Sequence, residues 1–176
     1  MSGGGKPIVL AASTSESTEY MRSTWRQMLL AATPARYAQQ LRVPYAQEVE
    51  TQTDGQAKYV PQGLRVIEAL FLEKFPSSDI AVCYPDQFPQ SIGENTRVIG
   101  IHAHNPLGIT FATDVYAQFY GADAEPVNAE EFRRTITHPA LQKYRSRLGS
   151  PFALGSSACL AKLTKTPGNR WSCSTR

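Results

Sequence analysis

The chain has 176 residues, which is enough for one domain with a substantial core. Its apolar fraction of 41% and charged fraction of 19% are those of an ordinary globular protein, and they exclude a disordered or fibrous chain. No apolar run approaches the roughly 18–20 residues that span a bilayer, and the short apolar run near the N-terminus is smaller than the hydrophobic region of a signal peptide. We therefore expect a cytoplasmic protein without membrane contact.

The cysteines are three, Cys83, Cys159 and Cys173, and they are scattered along the chain. An odd number at such spacings does not form a disulfide framework. No two of them lie close enough for a structural metal site, and no three-cysteine cluster could hold an iron–sulfur centre. The cysteines thus predict neither a metal site nor an iron–sulfur cluster in this chain.

Charge is distributed unevenly along the chain. All 15 acidic residues lie at or before Glu131, whereas residues 141–176 contain seven Lys and Arg residues and no acidic one. A basic end of this kind is typical either of an anionic partner such as nucleic acid or of a solvated, poorly folded tail. Its Gly, Ser and Thr content favours the second interpretation, so we do not expect nucleic acid as a partner.

The first half of the chain predicts one strand and at least one helix. The apolar run at residues 8–12 predicts a strand, and the small polar residues 13–17 suit its exit loop. Residues 18–58 are predicted to form a variable helical and loop insertion, with a helix ending near residues 33–34. A helix of about four turns is then expected, ended by Pro76, with an apolar stripe on its buried face formed by Leu64, Ile67, Leu70, Phe71 and Phe75.

The second half adds two strands and further helices. Residues 79–84 and 97–104 form near-continuous apolar runs, which are typical of strands covered on both faces. Residues 109–121 are predicted to be helical, and a helix capped by Asn128 pauses at His138 before Pro139 restarts a turn toward Gly149. Strands that alternate with helices predict an α/β fold with a three-layer, doubly wound, mostly parallel sheet of the Rossmann or flavodoxin-like kind.

Ligands of open parallel sheets bind at the carboxyl ends of the strands, which here directs attention to residues 13–17, 84–89 and 102–110. His102 and His104 stand at i and i+2 at a strand end and share one face of the pleat. Three interpretations remain open: the pair contacts a polar or anionic cofactor, it holds a metal, or one ring packs inside while the other is solvated. Polar groups and close backbone approach are offered next by Asn105, Gly108 and Thr110.

Other candidate residues carry weaker signals. Asp86 follows a strand directly, where a carboxylate either binds a ligand or forms a turn. Cys83 within an apolar strand is expected to be an inert buried thiol, and His138 at a helix break is expected to be a surface residue. The chain has no phosphate-binding glycine loop and no nucleophile–base arrangement. We therefore predict a ligand-binding domain without catalytic residues.

One long segment resembles a known protein family. Residues 79–121 carry a Tyr-Pro-Asp turn after a strand, an IG-x-x-T-x-V-I-GI run and an N-PLG motif, and residues 128–142 fit the helix that follows. These features resemble the N-terminal, cobalamin-binding-like domain of radical S-adenosylmethionine (radical SAM) proteins. The entry helix of that domain is matched by Tyr59, Pro61, Gly63, Leu64, Arg65, Glu68 and Ala69.

The resemblance implies a cobalamin-binding-like domain over residues 1–149, followed by a basic tail over residues 150–176. A corrinoid or other small ligand would lie at the carboxyl edge of the sheet, and the cofactor-binding positions would be Tyr84, Pro85, Asp86, His102, His104, Asn105, Gly108 and Thr110. The sequence departs from the family at three places: the histidine that serves as lower cobalt ligand, the next strand's Gly-Gly, and the cysteine cluster of the catalytic domain.

These departures lead to the expectation of a domain that is not catalytic on its own and whose partner is a separate radical SAM catalytic domain. The acid-free tail is what a truncation or a change of reading frame would produce. Two alternatives remain: a cofactor-free α/β protein-interaction module, and a small enzyme that binds a nucleotide or flavin at the same edge. A sheet that ends early would leave an unpaired strand edge, so self-association is also expected.

Overall fold

The structure, a computed structural model, describes residues 4–17, 33–35, 37, 51–103, 125–148, 153–156, 159–165 and 171–174. The helix predicted over residues 109–121 lies outside the described residues, and so does the helix predicted to end near residues 33–34, up to residue 32. Among the helices that are described, none has both the length and the apolar character needed to cross a membrane.

Three parallel strands form the centre of the fold. β1 (Ile8–Ala12) lies between β2 (Ile80–Cys83) and β3 (Val98–His102), and Ile8 is opposite both Ile80 and Val98. All three strands were predicted from their apolar runs, and the structure confirms them. Because the strands are parallel and in register, their carboxyl ends lie together at one edge of the sheet.

The side chains of β1 alternate between two buried clusters. Val9 and Ala11 pack on one face with Phe132 and Leu141, whereas Leu10 packs on the other face with residues that include Leu64. All five residues of β1 are buried. A strand with apolar neighbours on both faces has no polar alternation to display, which is why its sequence is a continuous apolar run.

Within the residues that the structure describes, four α-helices accompany the strands. α1 spans Gln62–Leu72, α2 spans Phe88–Ser91, α3 spans Val127–Ile136 and α4 spans Pro139–Leu148. The predicted break near His138 is confirmed, because Pro139 lacks an amide hydrogen and suits the first position of a new helix. The predicted cap differs: α3 is preceded by Pro126, and Asn128 lies within its first turn.

The predicted buried stripe of α1 is only partly buried. Leu64 is 3% exposed and Phe71 packs against the same cluster, but Ile67 is 44% exposed, Leu70 54% and Phe75 43%. The helix also ends at Leu72, before the predicted end. The pattern was helical, but only the side of α1 that carries Leu64 and Phe71 faces β1 and β2.

The chain beyond α4 contains three further strands in the part that the structure describes. β4 (Ala153–Ser156) pairs in parallel with β3, and β5 (Cys159–Lys165) and β6 (Trp171–Ser174) continue the sheet in antiparallel fashion, giving the order β2-β1-β3-β4-β5-β6. This differs from the solvated tail expected from composition. The backbone N–H and C=O groups at the free edge of β3 need hydrogen-bond partners, which a strand from later in the chain supplies. Local amino-acid composition carries no signal for such long-range pairing.

The outer edge of β2 is also covered. The backbone N–H of Ala57 donates a hydrogen bond to the carbonyl oxygen of Val82 at 2.7 Å, and the side-chain oxygen of Gln56 accepts one from the Val82 N–H at 3.4 Å. A turn with Gly55 at φ 81° brings these residues to the strand. The chain itself therefore supplies hydrogen-bond partners to Val82 at the outer edge of β2.

Candidate ligand site at the carboxyl edge

The exit from β1 forms a tight turn that buries an acidic side chain. A 3₁₀ turn spans Ser15–Ser17, and the N–H of Glu16 donates to the hydroxyl oxygen of Ser13 at 3.4 Å. Glu16 is only 4% exposed. Burial of a carboxylate costs free energy unless the group is paired, so the residue that pairs with Glu16 matters for the chemistry of this edge.

That partner is His102, the last residue of β3. Its Nδ1 lies 2.9 Å from Oε2 of Glu16, and the side chains are 16% and 5% exposed, respectively. An ionised carboxylate can only accept hydrogen bonds, so the imidazole carries a proton on Nδ1 and donates it. The pair links the carboxyl ends of β1 and β3 and fixes the orientation of the ring.

The opposite side of the His102 ring faces the start of α1. A Cβ atom at Gly63 would lie 3.2 Å from Nε2 of His102, so the glycine leaves room for the ring. His102 is therefore held between Glu16 and α1 and is not a freely solvated side chain. Because Glu16 engages Nδ1, His102 is a positioned, hydrogen-bonded histidine. Among the described residues, no cluster of His, Cys, Asp and Glu suits a metal ion.

A buried hydroxyl next to Glu16 lacks a hydrogen-bond partner. Ser17 is 1% exposed, and its Oγ forms no hydrogen bond with any described residue. An unsatisfied buried polar group costs about 1–3 kcal/mol, which a hydrogen bond from a bound molecule would recover. Ser17 thus adds an available donor and acceptor at the exit of β1.

The Tyr84-Pro85-Asp86 turn divides into two core residues and one exposed residue. Tyr84 is 1% exposed, and its hydroxyl lies 3.4 Å from both the backbone N and the backbone O of Tyr59. Pro85 is buried as well. Only Asp86 is exposed, so it is the member of the turn whose polar group can meet a ligand.

A pocket of about 50 Å³ lies where this turn and the β1 exit loop approach α3. Glu131 is buried at 9% exposure, whereas Asp86 and Arg134 are exposed. Acidic and basic side chains therefore lie around the same small pocket. Its lining is formed by Thr14, Pro85, Asp86, Glu131, Arg134, Thr135 and His138.

His138, predicted to be a surface residue, is half-buried at this pocket. Its ring meets Phe88 edge-on with centroids 5.4 Å apart, and its Nδ1 accepts a hydrogen bond from the Ala140 N–H at 3.3 Å. In a neutral imidazole an accepting Nδ1 leaves the proton on Nε2. His138 therefore presents a donor and not an acceptor at its remaining nitrogen.

Cys83 behaves as the sequence predicts. It is 2% exposed within β2, and burial raises the pKa of its thiol to about 11, an effect that a hydrogen bond with Ser91 partly offsets. A thiol with so high a pKa is not a thiolate nucleophile near neutral pH.

The predicted and observed site residues overlap in part. Asp86 and His102 lie at the carboxyl edge, where the Asp86 carboxylate is exposed and the His102 imidazole is hydrogen-bonded to Glu16. Tyr84 and Pro85 lie in the core. The remaining predicted positions, His104, Asn105, Gly108 and Thr110, lie outside the described residues.

Two groups of residues at this edge were not singled out from sequence. Glu16 falls in the strand-exit loop 13–17, so that loop was selected although the residue was not. Glu131 and Arg134 gave no local signal, because only the packing of α3 against the β1 and β2 loops brings them to the edge.

The chain was compared with protein-family models, with curated proteins and with solved structures, and none of the three comparisons found a match.

Proposed function

We propose that this chain is a cobalamin-binding-like domain that holds a corrinoid at the carboxyl edge of its sheet and is not catalytic by itself. The observation that carries the proposal is the Glu16–His102 pair, a buried, oriented polar pair at the ends of β1 and β3. The proposed setting is cytoplasmic, and the proposed partner is a separate radical SAM catalytic domain, as the sequence resemblance implies.

The strand order supports the position of the proposed site. β1 connects to β2 on one side, and the chain then crosses to β3 on the other, so the order reverses between β1 and β3. Open doubly wound sheets bind their ligands in the crevice at such a reversal. The proposed fold is accordingly a three-layer, doubly wound sheet of the flavodoxin-like kind, with helices such as α1 and α3 on opposite faces.

The polar groups at this edge fit a ligand rich in amides. Ser17 has a buried hydroxyl without a partner among the described residues, and Asp86 has an exposed carboxylate. The pocket of about 50 Å³ is far below the roughly 300–1,000 Å³ typical of cofactor sites. A corrinoid would therefore lie across the open edge and not inside this pocket.

His102 would orient such a ligand and not coordinate its cobalt. Its Nδ1 is engaged by Glu16, and its Nε2 faces Gly63. A bound corrinoid supplies organometallic cobalt chemistry, whereas the residues of this chain supply binding and orientation. This division agrees with the absence of the family's lower-ligand histidine from the sequence.

Titration of the purified protein with hydroxocobalamin tests the proposal. We expect a shifted corrinoid absorption spectrum, and His102→Ala should weaken binding. His102→Asn is the matched control, because its amide nitrogen occupies the position of Nδ1 and can still donate to Glu16. A spectrum that stays unchanged with millimolar hydroxocobalamin would contradict the proposal.

A protein-interaction module is the second candidate function, and α1 is the observation that favours it. Val66 and Leu70, which are one helical turn apart, are each 54% exposed although both are apolar. Exposed apolar side chains that adjoin one another are typical of interaction surfaces. Analytical ultracentrifugation of the wild type and of Leu70→Glu, each mixed with the candidate catalytic domain, tests this function. Co-sedimentation of the wild type that is lost in Leu70→Glu would favour it, provided that the protein shows no corrinoid spectrum.

A further inference from the structure

Two oppositely charged side chains at one pocket have no ion-pair or side-chain hydrogen-bond partner among the described residues. Asp86 and Arg134 both line the pocket of about 50 Å³ between the β2 exit turn and α3. Neither forms an ion pair or a side-chain hydrogen bond with any described residue, and they are not paired with each other. The neighbouring Arg133, by contrast, forms an ion pair with Glu125 at 2.8 Å. Free charges of both signs around one space call for a ligand that carries both.

The charges of the lining exclude simple ions as good ligands. The carboxylate of Asp86 repels an anion, and the guanidinium of Arg134 repels a cation. A zwitterion places its ammonium group toward the Asp86 carboxylate and its carboxylate toward the Arg134 guanidinium. Charge-assisted hydrogen bonds of this kind are the strong ones, and a guanidinium matches a carboxylate in geometry.

His138 adds a donor to the same pocket. Since its Nδ1 accepts the Ala140 N–H, its Nε2 carries the proton and can donate to a ligand carboxylate. The edge contact of the ring with Phe88 holds that orientation. The carboxylate of a ligand would thus meet two donors, Arg134 and His138.

The size of the pocket fits the head group of an amino acid. One water needs roughly 10–15 Å³ of such space, so a pocket of about 50 Å³ accommodates a few water-sized groups. We propose that this pocket binds the α-amino-carboxylate group of a small zwitterionic ligand, either a free amino acid or the amino acid portion of a larger molecule. This inference does not rest on corrinoid binding.

An NMR titration of the uniformly ¹⁵N-labelled full chain with glycine tests the proposal without any corrinoid. We expect saturable amide shifts at Asp86, Arg134, Thr135 and His138, with weak affinity because the ligand has few atoms. Asp86→Asn and Arg134→Gln should each weaken glycine binding about tenfold or more, since each removes a charge-assisted bond. Arg133→Gln is the matched control and should bind glycine as the wild type does.

Acetate and methylamine, titrated separately, complete the test. Each carries half of the zwitterion and should bind more weakly than glycine. The inference is overturned if glycine causes no saturable shifts, if Asp86→Asn and Arg134→Gln bind it as well as Arg133→Gln, or if acetate or methylamine binds equally well. Both substituted residues are exposed, so loss of folding is not expected, and the spectra themselves report it. Failure here leaves the hydroxocobalamin result standing, and the reverse also holds.

Discussion

Replacement of His102 by alanine is the most direct test of how the carboxyl edge is held together. The substitution removes the imidazole that lies 2.9 Å from the Glu16 carboxylate and so takes one hydrogen-bond donor from a carboxylate that is about 5% exposed. A buried carboxylate has few ways to recover a lost partner, so we expect the folded state to be destabilised.

The size of the effect follows from the burial of the two side chains. Breaking a fully buried ion pair costs about 3–5 kcal/mol, whereas a hydrogen bond to a charged group contributes about 1.5–3 kcal/mol. The His102 side chain is 16% exposed, so water reaches the pair from one side and the lower range applies. We expect His102→Ala to lower the free energy of unfolding by about 2 kcal/mol, or the melting temperature by about 4–8 °C for a chain of this size.

Urea unfolding followed by circular dichroism at neutral pH measures the effect. His102→Asn should recover most of the loss, because its amide can donate to Glu16. Glu16→Gln and the double variant complete a cycle that isolates the interaction between the two residues. The reasoning is refuted if His102→Ala is as stable as the wild type, or if His102→Asn is as unstable as His102→Ala.

Two further predictions concern a glycine pair and a buried thiol. Gly5 and Gly55 both have positive φ, at 64° and 81°, but a Cβ at Gly5 would lie 2.1 Å from the backbone N of Gly93, whereas nothing lies within 4 Å at Gly55. In thermal unfolding, Gly55→Ala should lower the free energy of unfolding by about 1–2 kcal/mol, and Gly5→Ala should lower it clearly more. Equal losses of stability in the two variants would contradict this prediction. Because the folded-state pKa of Cys83 is raised to about 11, the stability that its neutral thiol contributes is complete below about pH 9 and is lost as the pH rises toward 11. Over that range the wild type should lose on the order of 2 kcal/mol more than Cys83→Ala in urea unfolding, and parallel pH profiles would speak against it.

The central strands could be predicted from sequence because their signal is local. β1, β2 and β3 are short apolar runs with polar exits, and each is recognisable without knowledge of the others. The break between α3 and α4 was equally local, since Pro139 alone imposes it. The buried face of α1 was not predictable in full, because its apolar stripe is wider than the surface that β1 and β2 offer it.

The site divides in the same way. The rule that ligands bind at carboxyl strand ends selected the loops at residues 13–17 and 84–89 without any structure. It could not pair Glu16 with His102, which are 86 residues apart. Nor could it bring Arg134 to Asp86, because no local pattern encodes where α3 packs.

The sequence by itself determined which segments form strands, which edge of the sheet is polar, and that Cys83 is buried, since each depends on neighbouring residues alone. Only the tertiary structure decided that β1 lies between β2 and β3, that the Glu16 carboxylate meets the imidazole of His102, and that charges of both signs surround one pocket. Strand order and side-chain pairing depend on which distant surfaces bury each other, and hydrophobic patterns specify that burial occurs but not against which partner.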